Sequence, residues 1–136
     1  MPFSSENLLK DLDQRRIIDW SVELKNRKEA LAFLMQSVHS NQLNQNQFRN
    51  ALHALYRLAF PENTTEVLQM FVDLSAHRDM AIRSYAVQLA IGLVRLSTNL
   101  RTPLMFSDTQ EKSLREAVAR GLTPKVARIG KHFFSI

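Results

Sequence analysis

Apolar side chains recur with helical spacing along nearly the whole chain, and the gaps between the periodic stretches are short. The clearest stretch contains Leu31, Leu34, Met35 and Val38, which follow the i, i+3, i+4, i+7 pattern of one helix face. With three glycines and four prolines in 136 residues, the chain has too few turn-forming residues for a barrel or a sandwich. The pattern predicts an all-α fold with seven or eight helices and no strand.

Helix starts are also marked in the sequence. Asn26 with Glu29, and Asn63 with Glu66, have the spacing of capping boxes, in which each side chain satisfies a free backbone N–H. The run SNQLNQNQ between two periodic stretches is uncharged, and we interpret it as a solvated loop. The predicted helices cover 5–20 (one helix or two short ones), 26–40, 45–60, 63–75, 79–97, 108–120 and 124–134.

The predicted helix over 79–97 is the most apolar part of the chain. Apolar side chains cover most of its circumference, and Ser84, Gln88 and Arg95 form its clear polar strip, with Arg83 near the helix start. A helix with so little polar surface is expected to pack against neighbours on two or more sides. We therefore expect it to be the central element of the fold.

The order helix, short turn, helix recurs in units of roughly 30 to 35 residues, the size of the repeats in stacked α-solenoids. The stretch from Asp79 through Ile82-Arg83 to Ala86 resembles the second-helix signature of HEAT repeats, and a weaker copy lies at Phe48-Arg49-Asn50-Ala51-Leu52. The resemblance covers about residues 45–97. It implies a short right-handed stack of antiparallel helix pairs, in which Asp79 and Arg83 connect successive repeats as a ladder.

The length fits one helical domain over residues 1–136. In this interpretation 1–25 is an N-terminal helical cap, 26–97 contains two helix pairs, and 108–134 is a C-terminal helix pair. The chain has no cysteine, no long uncharged apolar run and no basic-then-apolar start typical of a secretory signal. We therefore expect a cytoplasmic protein that does not enter a membrane.

Positive charge is concentrated near the C-terminus. Residues 101–136 carry seven Lys and Arg against three Asp and Glu, which is most of the net charge of +5. Val126, Ile129 and Phe133 project to one side of the last helix, and a basic stripe lies beside them: Lys125, Arg128, Lys131 and His132. Such a stripe, extended by Arg115 and Arg120, can bind a polyanion or an acidic partner. The alternative is a solvated face whose last cations suit the helix dipole.

We find no motif for catalysis or for a cofactor. GxGxxG, GxxxxGK[ST], GxSxG and HExxH are all absent, and no cysteine nucleophile exists. His77 lies between Asp73 and Asp79 along the chain, but a polar turn between two helices explains these residues without a metal ion. The sequence predicts no catalytic site, no metal and no cofactor.

The prediction for function is a non-enzymatic protein-binding module, such as an adaptor, an inhibitor or an immunity-type protein. The first alternative is a nucleic-acid-binding protein that uses the basic side of the last helix. The second is a nucleic-acid-modifying enzyme whose residues form no recognised motif. Exposure of the apolar segment Leu104-Met105-Phe106 would favour a protein partner, whereas pairing of Lys125, Arg128 and Lys131 with carboxylates would weaken the nucleic-acid alternative.

Overall fold

The structure, a computed structural model, describes residues 4–13 and 26–135, and these ranges contain seven α-helices and no strand. The helices are α1 (Ser5–Asp13), α2 (Arg27–His39), α3 (Gln45–Leu58), α4 (Thr64–Leu74), α5 (Met80–Leu100), α6 (Asp108–Arg120) and α7 (Pro124–Phe134). The all-α prediction is confirmed. Most of the predicted N-terminal cap, including the second half of the helix expected over 5–20, lies outside the described residues.

The chain forms two compact units, Met1–Ala59 and Phe60–Ile136. In the first unit α3 packs against both α1 and α2, and α1 also contacts α2. The core of this unit contains fully buried leucines from all three helices: Leu12, Leu34, Leu52, Leu55 and Leu58. The continuous right-handed stack implied by the resemblance to HEAT repeats stays a prediction.

The Asn-rich segment before α3 and at its start binds the end of α1. The side-chain amides of Asn44 and Asn46 donate to the side chain and the backbone carbonyl of Asp13, at 3.0 and 2.9 Å. Asn50 donates to the carbonyl oxygen of Leu12 at 2.7 Å. These bonds connect α3 and the segment before it to the last described residues of α1. Residues 40–44 of this run form a mostly exposed loop, as expected, and the run also contacts α1 through Asn44 and Asn46.

Among the described residues, two capping boxes form, and both lie at other positions than the sequence predicted. They join Asn44 with Gln47 and Ser107 with Gln110, and in each the cap residue has an extended backbone, with ψ of 170° and 163°. Asn26 and Asn63 do precede helices, but neither side chain makes a capping bond, since their ψ angles are 26° and 21°. An N-cap side chain reaches the next turn's N–H groups from the extended region.

In the second unit α5 is the central helix, as its sequence predicted, because it contacts α4, α6 and α7. In addition, α4 packs against α6 and α6 packs against α7. The side chains that fill this core are fully buried and come from α4, α5 and α6: Val67, Leu68, Phe71, Val87, Ile91, Leu93 and Leu114. Two helix pairs, α4–α5 and α6–α7, thus pack side by side within this unit.

The start of α5 binds the turn between α6 and α7. Arg83 is only 6% exposed, and its guanidinium donates to the carbonyl oxygens of His77, Arg78 and Gly121. The buried hydroxyl of Ser84 accepts the backbone N–H of Thr123 at 2.9 Å. Ser84 and Arg83 are therefore not part of an exposed polar strip, because the α6–α7 turn covers them.

Asp79, the other residue of the predicted ladder, is the N-cap of α5. Its carboxylate accepts the backbone N–H groups of Ala81 and Ile82, at 2.8 and 3.4 Å. Its own N–H donates to Nδ1 of His77. In this structure Asp79 therefore acts within its own turn and helix, and Arg83 makes the bonds to the next helix pair.

Candidate functional site

Three surface features of the second unit carry chemistry that a partner could use. The apolar loop, as we name it, comprises Leu100, the last residue of α5, and the segment Leu104–Phe106 between α5 and α6. The basic face comprises the exposed cationic side chains of α7: Lys125, Arg128, Lys131 and His132. The third feature is a groove between α4 and α6, which we call the α4–α6 groove.

The apolar loop exposes large hydrophobic side chains to solvent. Met105 is 70% exposed and Leu100 is 59% exposed, and Leu104 and Phe106 are half-buried beside them. Among the described residues, Met80 is the other large hydrophobic side chain with high exposure, and it lies at the opposite end of α5. Exposure of the segment Leu104-Met105-Phe106 was the condition that would favour a protein interface, and Met105 alone of the three meets it.

The backbone of the apolar loop is fixed against the start of α4. Thr64, which is 2% exposed, donates its hydroxyl hydrogen to the carbonyl oxygen of Pro103 at 2.9 Å. The hydroxyl of Thr65 accepts the N–H of Met105 at 3.1 Å. The backbone on either side of Leu104 is therefore hydrogen-bonded to α4, and the exposed side chain of Met105 extends from this fixed backbone.

The basic face is held outward because the opposite side of α7 is packed into the unit. Val126, Gly130 and Phe134 are buried. A Cβ atom added at Gly130 would lie 2.8 Å from Cγ2 of Val118, so α7 approaches α6 as closely as a residue without a side chain allows. This close packing fixes the rotation of α7 about its axis.

The cations of the basic face have no acidic partner in the part of the chain that the structure describes. Lys125, Arg128 and Lys131 form no ion pair with a described carboxylate, so the condition that would have weakened the nucleic-acid alternative is not met. His132 is likewise exposed.

Arg115 and Arg120, which the sequence grouped with the basic face, have partners within the fold. Arg115 donates to the carbonyl oxygen of Phe134, lies over that residue's ring and pairs with Glu111 at 3.9 Å. Arg120 donates to the carbonyl oxygen of Ala76 at 3.0 Å. We therefore define the basic face without these two arginines.

The α4–α6 groove has a volume of about 550 Å³, and most of the residues that line it have polar side chains. A chain of amide hydrogen bonds crosses it: the N–H of Ser107 donates to Gln110, Gln110 donates to Gln69, and Gln69 donates to Asp73, each at 2.8 Å. Glu116 and Arg120 lie on its wall. The amides of Gln69 and Gln110 do not titrate, so these two side chains order the groove, and its carboxylates come from Asp73 and Glu116.

The α4–α6 groove was not predicted from the sequence, although one local signal for it was present. Gln69 and Asp73 are four residues apart, the spacing at which such side chains bond along a helix. The partner of Gln69 on α6, Gln110, is 41 residues away in the chain, and no local pattern indicates that pairing.

Metal and cofactor sites were not predicted from the sequence. Within residues 4–13 and 26–135, no three His, Asp or Glu side chains cluster in a way that would hold a metal ion. His77 instead uses Nδ1 to accept the N–H of Asp79 at 2.9 Å.

Comparisons with family models, with curated proteins and with solved structures found no match to this chain. The described helices include none with the length and apolar character needed to cross a membrane.

Proposed function

We propose that this protein is a non-enzymatic protein-binding module whose contact surface is the apolar loop. The observation that carries the proposal is the 70% exposure of Met105 on a loop fixed by Thr64 and Thr65. Full burial of a large apolar side chain by a partner contributes roughly 1.5–3 kcal/mol of favourable free energy. Leu100, the other exposed apolar side chain of the apolar loop, is 59% exposed.

The fixed backbone of the loop favours binding further. A flexible loop loses conformational entropy when a partner orders it, and this loss reduces affinity. Here the bonds from Thr64 to Pro103 and from Met105 to Thr65 already hold the loop backbone in place. Methionine suits such a surface because its unbranched, polarizable side chain adapts to the shape of the partner.

The proposal covers adaptors, inhibitors and immunity-type proteins, since each acts by occupying the surface of another protein. The alternative of nucleic-acid binding concerns a different surface, because the basic face and the apolar loop share no residue. The alternative of a nucleic-acid-modifying enzyme stays a prediction.

The test is co-purification from the source organism, followed by reconstitution with the purified partner. Three variants are compared with the natural chain: Met105→Asp, Leu100→Asp and Met80→Asp. Met80 is the matched control, because it is 48% exposed and stands about 30 Å from Leu100 along α5.

We expect Met105→Asp and Leu100→Asp each to lower the affinity for the reconstituted partner by about tenfold or more. Met80→Asp should bind as the natural chain does. Equal binding by all three variants would contradict the proposal, and so would the failure of any protein to bind the natural chain after purification.

A further inference from the structure

We propose that the basic face of α7 binds the phosphate backbone of a nucleic acid. No Asp or Glu follows Glu116 in the sequence, whereas four Lys and Arg do. Three of these, Lys125, Arg128 and Lys131, are exposed and without a described carboxylate partner. A row of cations without counter-charges is the electrostatic requirement for binding phosphates, because each contact releases condensed counterions.

The position of Lys125 argues against a role in helix stability. It is the second residue of α7, which has no acidic residue in its first turn. The N-terminus of a helix carries partial positive charge, so a cation there is repelled by the helix dipole. Lys131 and His132 lie in the last turn, where the dipole favours cations, but Lys125 has no such explanation. Binding of an anion explains a cation at the start of α7, at Lys125, as well as the cations at its end, Lys131 and His132.

The spacing of the three cations fits a nucleic-acid strand. Lys125, Arg128 and Lys131 are three residues apart in succession, so they span about 9 Å along the helix. Successive phosphates of one duplex strand are about 3.4 Å apart along the duplex axis, so about three of them fall within this length. Contacts to phosphates position a protein without reading sequence. We therefore expect binding that does not depend on base sequence.

The surroundings of the basic face favour nucleic acid over the other anionic partners. A helix that binds a lipid surface inserts its apolar side, but Val126 and Phe134 of α7 are buried in the unit. A protein interface centres on exposed apolar residues, yet Ile129 is half-buried and the guanidinium of Arg95 covers the ring of Phe133. Nucleic-acid interfaces are instead polar and positively charged.

The experiment measures fluorescence anisotropy of a labelled duplex DNA and a labelled single-stranded RNA across a salt series. The test variant combines Lys125→Gln, Arg128→Gln and Lys131→Gln. The control variant combines Lys10→Gln, Lys28→Gln and Arg101→Gln, which removes the same charge from exposed positions outside α7. Circular dichroism and thermal melting check that both variants fold.

Three phosphate contacts predict a slope of about −2.7 for log K against log salt on duplex DNA. Affinity should then fall roughly 40-fold between about 50 and about 200 mM salt. In the test variant, most of the affinity for duplex DNA should be lost and the dependence of log K on log salt should become shallow. The control variant should keep the affinity and the slope of the natural chain. The proposal is overturned if the natural chain does not bind at low salt, if the two variants behave alike, or if polyglutamate competes as well as duplex DNA at equal charge.

Discussion

The guanidinium of Arg83 donates two hydrogen bonds to the carbonyl oxygen of Gly121, 3.1 Å from Nε and 2.7 Å from Nη2. This contact joins the start of α5 to the turn that leads into α7. Next to it, the hydroxyl of Ser84 accepts the N–H of Thr123, the N-cap residue of α7. The carbonyl of Gly121 and the N–H of Thr123 are thus both bonded to α5, so the central helix positions the start of α7 and of the basic face.

Replacing Arg83 by Met should lower the free energy of unfolding by about 2–4 kcal/mol, because three carbonyl oxygens lose a charged donor in a buried place. Urea denaturation measures this change. The control is Arg78→Met at an exposed position nearby, which should stay within about 0.5 kcal/mol of the natural chain. Equal stability of the two variants would show that the Arg83 bonds contribute little.

Replacing Gly130 by Ala should destabilise the protein by about 1–3 kcal/mol, because the new Cβ would meet Cγ2 of Val118 at 2.8 Å. In an open position the same change would stabilise a helix by up to about 1 kcal/mol. The double variant Gly130→Ala with Val118→Ala should therefore cost less than the sum of the two single variants. Simple additivity in the double-mutant cycle would contradict close packing of α6 on α7.

Replacing Lys125 by Glu should move stability and nucleic-acid binding in opposite directions. An acidic residue in the first turn suits the helix dipole, so the free energy of unfolding should rise by about 0.3–1 kcal/mol. Affinity for duplex DNA should fall, since a phosphate contact is replaced by repulsion. Thermal melting and anisotropy measure the two effects. A fall in stability together with unchanged affinity would contradict the assignment of Lys125 to the basic face.

His53 on α3 should make stability depend on pH. Partial burial, and then the nearby charge of Arg57, lower the pKa of His53 below its usual 6.5. Its ring stacks on Tyr56, with centroids 6.5 Å apart. The unfolded chain therefore binds a proton at His53 more readily than the folded chain does. The stability that neutral His53 contributes is complete above about pH 6.5 and is lost as the pH falls through the lowered pKa.

The variant His53→Gln should show a smaller loss of stability between about pH 7.5 and about pH 5 than the natural chain. Urea denaturation at the two pH values measures the difference. An identical pH dependence in the two proteins would show that His53 does not contribute to it.

Helix positions could be predicted from the sequence because they depend on the spacing of apolar residues within one segment. The helices over Asp108–Arg120 and Pro124–Phe134 have the predicted bounds. Gly121 follows the end of the first, and Thr123 and Pro124 are the N-cap and the first residue of the second. Each of these features is decided by neighbours within one or two turns.

Capping boxes could be predicted less well, because they depend on backbone angles as well as residue types. Asn63 and Glu66 have the right spacing, but Asn63 has a ψ of 21° and makes no capping bond. Asn44, with the same residue type and a ψ of 170°, does cap its helix. The conformation of the preceding turn decides between the two outcomes, and residue spacing does not encode it.

The candidate sites were predicted in part. Exposure of the basic face was expected from the periodicity of α7, since the charges and the apolar residues occupy different sides of the helix. Arg120 does not belong to the basic face because it donates to the carbonyl oxygen of Ala76, which is 44 residues away in the chain. Contacts at that distance arise only when the helices pack, so charge counting could not find them.

The most direct test of protein binding by the apolar loop is site-specific photo-crosslinking in the source organism. A photoreactive amino acid is placed at residue 105 in one protein and, as the control, at residue 80 in another, since both natural residues are exposed methionines. We expect a discrete covalent adduct with one partner protein from residue 105 and none of that adduct from residue 80. The same adducts from both positions, or no adduct from residue 105, would contradict it.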